Sequence, residues 1–92
     1  VLDVGCNAGT ISIHLKRAGC YVKGIDLVPD LVKEANRNGI FCEQGEAEDL
    51  SRFKDNTFDC VICSEVLEHL YDPLIAIGEA HRVLMPGGVF IV

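Results

Sequence analysis

A chain of 92 residues with 49% hydrophobic and 24% charged composition has room for one globular unit near the lower size limit for an adequate core. Its net charge of -6 argues against a surface that holds nucleic-acid phosphates, and no apolar run approaches the roughly 18 residues of a membrane span. Five cysteines, Cys6, Cys20, Cys42, Cys60 and Cys63, are an odd number set in apolar segments, which predicts reduced thiols and a cytoplasmic location rather than a disulfide framework.

Val1–Val4 reads as a strand, followed by a glycine-containing loop, "GCNAG", and a helix over 10–18 with Ile11, Leu15 and Ala18 on one face and Gly19 as its stop. Residues 21–25 form a second expected strand. Pro29 opens a helix through Asn38 that turns Leu31, Val32 and Ala35 inward, and 40–43 is a short third strand. Residues 46–53 are expected to make one helical turn. After the turn signal "KDNT", residues 58–63 give a fourth strand. "CVIC" within it has C-x-x-C spacing, but residues three apart on a strand face opposite ways, so two core thiols are expected instead of a redox or zinc pair. Asp72 and Pro73 start a last helix with Ile77, Ala80, Val83 and Leu84 at helical spacing. "PGG" stops it, and 89–92 is a fifth strand. The strand-like runs at both ends predict a piece of a longer fold.

Strands alternating with helices imply right-handed βαβ units and a Rossmann-like, doubly wound parallel sheet with five strands present. Ligands of such sheets bind at the carboxyl ends of the strands, where the loop after Val4 belongs. A dinucleotide fingerprint starting at Gly5 would need glycines where Asn7 and Thr10 stand, and a phosphate loop would need a Gly-Lys-Ser/Thr that is missing. The loop therefore suits close main-chain approach to a ligand without a phosphate cradle.

"VLDVGCNAG", "GIDLVPDLVKEA", "GEAEDL", "NTFDCVICSEVLEHL" and "LMPGG" follow in that order. In spacing and content they resemble the motifs of class I S-adenosylmethionine-dependent methyltransferases, in the small-molecule branch that includes the ubiquinone-pathway O-methyltransferases and menaquinone C-methyltransferases. Asn7 stands at the middle glycine of the family's D-x-G-x-G-x-G loop. The resemblance implies that residues 1–92 are the S-adenosylmethionine-binding core of a methyltransferase domain, its strands in the order 3-2-1-4-5 and truncated before the last two strands of the full fold, with a small-molecule O, N or C atom as acceptor; the net charge of -6 predicts no nucleic-acid partner.

The implied cofactor residues are Asp3, Gly5, Cys6, Asn7 and Gly9 around the methionine end, Asp26 and Leu27 at the ribose, Glu46 and Ala47 at the adenine, and Ser64 beside the methionine portion. Residue chemistry agrees: S-adenosylmethionine is cationic and carries no phosphate, Asp3 can offset its ammonium, and a carboxylate at Asp26 can accept both ribose hydroxyls. Glu65, Glu68 and His69 would share one face if helical, and they resemble the E-x-x-E-H pattern that some relatives use for Mg²⁺, although the string also recurs in relatives with no metal. A structural His69 or a general base fits the same string, so no catalytic residue and no metal ligand is assigned. Two other readings stay open: a silent methyltransferase-like subunit that binds a protein partner, and an NAD-dependent oxidoreductase using Asp26.

Overall fold

The computed structural model describes residues 1–92. Its elements are β1 (Leu2–Val4), α1 (Thr10–Arg17), β2 (Lys23–Asp26), α2 (Pro29–Arg37), β3 (Phe41–Gln44), β4 (Phe58–Cys63), a 3₁₀ turn (Leu67–His69), α3 (Pro73–Val83) and β5 (Leu84–Ile91). All strands are parallel in one sheet, as the alternating pattern predicts, and their order is β3-β2-β1-β4-β5, as the family resemblance implies. Strand order reverses between β1 and β4, which puts the carboxyl ends of β1, β2 and β4 around one crevice.

Alternation along β1 sorts the two layers. Leu2 and Val4 face a core with Ile25, Leu50, Val61, Cys63, Ala76, Ala80 and Val83. Asp3 faces the other side, in register with Gly24 and Ile62, where Ser12 of α1 donates to its carboxylate at 2.5 Å. A second cluster there joins Cys6, Ala35, Ile40 and Cys42. Gly24 lies against the Cys6 and Cys42 thiols, where a Cβ would come within 2.8 Å of the Cys6 sulfur. The two sulfurs are 3.0 Å apart as free thiols, and burial pushes both thiol pKa values up.

Pro29 in the first turn, with Asp30 beside it and Arg37 in the last, suits α2 to its own dipole. Asp72 caps α3 by accepting the Leu74 N–H at 3.1 Å. No helix is long and apolar enough to cross a membrane.

Four expectations are corrected. In α1 the fully buried residue is Ser12, while Ile11 and Ala18 are exposed, because Asp3 beneath the helix recruits a hydroxyl. In α3 the inward stripe is Ala76, Ala80 and Val83, and Ile77 is exposed, since small side chains let the helix lie close to the sheet. The fifth strand begins at Leu84, before "PGG", because the Asn56 and Thr57 N–H groups already take the Arg82 and Val83 carbonyls. Residues 46–53 make no helical turn. They form an irregular segment with a single Glu46–Asp49 bridge, and Arg82 and Glu79 take main-chain groups that a helix would have used.

Candidate cofactor cleft

The chain leaves β1 in a sharp turn. Gly5 and Cys6 N–H groups both donate to the Ile25 carbonyl, at 2.8 and 3.0 Å, which folds the loop across the end of β2. Gly5 has φ 75°, and a Cβ there would collide with Cγ2 of Val66. Gly9 has φ 88° and starts α1, with room for no Cβ against Ile40. Asn7 holds φ 52°, a conformation its side chain tolerates better than most. Asp26 fixes this wall: its carboxylate accepts the Asn7 N–H and the Val28 N–H, each at 2.9 Å. A carboxylate has about four acceptor sites, so capacity for further donors remains.

A cleft of about 570 Å³ opens beside that loop, within the usual range for small-molecule sites. It brings together Gly5, Asn7, Asp26, Leu27, Glu46, Ala47 and Ser64 from the loops after β1, β2, β3 and β4. Asp3, Cys6 and Gly9 do not line it; Asp3 is 1% exposed and engaged with Ser12. Burial pushes the Asp3 carboxyl up, the Ser12 hydroxyl pulls it partly back, and the Asp26 charge adds to the rise.

Val66 and Leu70 border the cleft within "SEVLEHL", where the family resemblance expects the segment after Ser64 to line the acceptor pocket; sequence reasoning misses Gly45, Glu48 and Tyr71. The signal available for them was position: each follows a strand that ends at the crevice. Four carboxylates, Asp26, Glu46, Glu48 and Glu65, line the cleft together with His69, and neither Lys nor Arg does. The electrostatics suit a cationic ligand and oppose a pyrophosphate.

The shared helical face of Glu65, Glu68 and His69 is corrected. Glu65 lies before the 3₁₀ turn with φ 56°, so helical spacing does not relate it to the other two. His69 Nε2 and Glu68 Oε1 are 3.7 Å apart and largely exposed, and no group of three or more His, Cys, Asp or Glu side chains is placed to hold a metal ion.

Residues 2–92 match the family described as "Methyltransferase domain". The chain belongs to that family. It is 42% identical over 94 residues to a ubiquinone biosynthesis O-methyltransferase of Xanthomonas oryzae pv. oryzae, a match covering 96% of this chain and 39% of that protein. A Xylella fastidiosa protein of the same name is 41% identical over 96 residues, covering 96% and 38%. Among solved structures, an S-adenosylmethionine-dependent methyltransferase from Mesorhizobium loti superposes with TM-score 0.88 at 28% identity, covering 97% of this chain and 43% of that one. The chain thus spans about two fifths of the length of these relatives.

Proposed function

We propose that residues 1–92 are the S-adenosylmethionine-binding core of a methyltransferase that acts on a small-molecule acceptor. The observation that carries this reading is the cleft at the switch point, which has four carboxylates, no Lys or Arg, and a glycine turn with no phosphate cradle. Membership of the methyltransferase-domain family supports it. The names of the Xanthomonas and Xylella relatives support a hydroxyl oxygen as the acceptor atom.

When bound, S-adenosylmethionine supplies a methyl group already activated on a sulfonium. The chain's part is then binding, alignment and exclusion of water. Asp26 accepts the ribose hydroxyls with the oxygen lone pairs left over from its two main-chain bonds. Gly5, without a Cβ, lets main chain come against the methionine portion, and Ser64 offers main chain beside it. Glu46 and the Ala47 N–H would hold the adenine edge, and Leu27, which lines the cleft next to Asp26, would lie at the ribose. Glu65 adds negative charge to a cleft that must hold a cation. Such a reaction needs few obligatory acids or bases, and none is assigned here.

Calorimetry on the full-length protein with S-adenosylhomocysteine and with NAD tests the reading. Binding of the first alone is expected, and Asp26→Ala should weaken it by about 1.5–3 kcal/mol, the range for hydrogen bonds to a charged acceptor. Heat with NAD alone would overturn the proposal, and an unchanged Kd in a folded Asp26→Ala would remove Asp26 from the site.

A further inference from the structure

The segment between β3 and β4 carries Glu46 and Ala47 to the cleft, yet it contains neither helix nor ladder. Its internal main-chain bonds are few, Asp49 N–H to Glu46 at 3.2 Å and Phe53 N–H to Leu50 at 2.9 Å. Such a segment should open easily unless something outside it supplies partners.

Glu79 and Arg82, one turn apart on α3, supply them. Arg82 donates through Nη2 to the Leu50 carbonyl at 2.9 Å, and through Nη1 to the Phe53 carbonyl at 3.0 Å and Asp55 at 2.9 Å. Its Nε donates to Glu79 Oε2 at 2.7 Å, and Glu79 Oε1 accepts the Leu50 N–H at 2.8 Å. Both main-chain groups of Leu50 are thereby held by one ion pair, while its side chain is 1% exposed in the core. Arg52 fastens the other edge, donating to Glu43 at 2.8 Å and to the Gln44 carbonyl at 2.7 Å. No residue of α3 lines the cleft.

We propose that Glu79 and Arg82 are positioning residues for the cofactor: they clamp the segment from Leu50 to Asp55 and so hold Glu46 and Ala47 at the cleft. The inference rests on the S-adenosylmethionine reading for its ligand, although the clamp itself does not. Five donors in a fixed fork meet acceptors spread over three residues of the segment and one on the helix, a span that an ammonium cannot reproduce.

The test uses Glu79→Gln and Arg82→Lys in the full-length protein. Each should accelerate amide exchange at Leu50 and Phe53, while Gly5 and Cys6 exchange as before. Each should raise the Kd for S-adenosylhomocysteine and the KM for S-adenosylmethionine about tenfold, the scale of a lost charged hydrogen bond, with kcat at saturating cofactor within about twofold. A general loss of fold would instead speed exchange everywhere and lower kcat. Unchanged exchange at Leu50 and Phe53 in both variants would overturn the clamp. Faster exchange with unchanged Kd would overturn the positioning role. If the unsubstituted protein binds no S-adenosylhomocysteine, the cofactor reading fails and the positioning role with it, whereas the exchange result still decides the clamp.

Discussion

The two walls of the cleft are built differently. On the β1–β2 side the loop is fixed by groups beside it in the chain and at the end of β2: Gly5 and Cys6 donate to the Ile25 carbonyl, and Asn7 and Val28 donate to the Asp26 carboxylate. On the β3–β4 side the segment is fixed chiefly by Glu79 and Arg82 reaching in from α3, with its own Arg52 tying it back to β3. A wall held by its own main-chain N–H groups and one strand-end carboxylate demands particular residues at particular positions, because φ and free space are set locally. A wall held by distant side chains leaves its own residues freer and transfers the demand elsewhere. That difference makes separate, measurable claims about substitutions on each side.

Gly5→Ala should produce the largest effect. Alanine at φ 75° carries a left-handed penalty of about 1–2 kcal/mol, and its Cβ meets Val66, an overpacking cost of about 1–3 kcal/mol. The sum, about 2–5 kcal/mol, is measurable by urea denaturation of the full-length protein and should come with loss of cofactor binding. A loss below about 0.5 kcal/mol, within the range of ordinary surface changes, would mean that Val66 swings aside and the wall is not rigid.

The same difference explains what was legible in the sequence. Strand order, the Gly5–Gly9 loop and Asp26 could be read because they rest on local signals: glycines, a strand-end acid and apolar runs. The segment from Glu46 to Phe53 reads as one helical turn in the sequence because the groups that decide its path, Glu79 and Arg82, lie about 30 residues further on. Ser12 was overlooked for a related reason. Nothing in a helical pattern announces that a buried Asp3 across the layer will select a hydroxyl over Ile11. Spacing alone sets Glu65 on a face with Glu68 and His69 if the segment is helical, whereas its φ of 56° belongs to a turn packed against the Gly5 loop through Val66.

Glu65→Gly gives a smaller effect of opposite sign. Removing left-handed strain gains about 1–2 kcal/mol, and the extra freedom of glycine in the unfolded chain takes back about 0.5–1 kcal/mol. Thermal unfolding should therefore show a gain of about 0–1.5 kcal/mol, while cofactor affinity falls by up to about fivefold, the upper size of an exposed charge interaction. Strain retained at a cleft-lining carboxylate is what a functional position leads one to expect. A destabilised Glu65→Gly would show that Glu65 is held there by contacts and not tolerated under strain.

The smallest effects separate the walls by pH. Arg82 holds the Glu79 carboxyl below its ordinary 4.5, against the opposing pull of burial. Such a group contributes stability above pH 4.5 that is lost as pH falls through its lowered folded pKa. Asp3, behind the other wall, has the reverse shift: burial raises it above 3.8. The folded state then holds its proton more tightly than the unfolded one, and stability declines as pH rises from 3.8 through the raised pKa. Glu79→Gln should accordingly be less stable than the unsubstituted protein at pH 7 and draw level with it in acid. Asp3→Asn, which keeps an acceptor for Ser12, should be equal or more stable at pH 7 and also draw level in acid, from the opposite side. Melting temperatures of the three proteins between pH 3 and 7, on the scale over which carboxylates titrate, decide it. If both variants approached from the same side, the claim that one wall is braced by a favourable ion pair while the other overlies an unfavourable buried charge would fail.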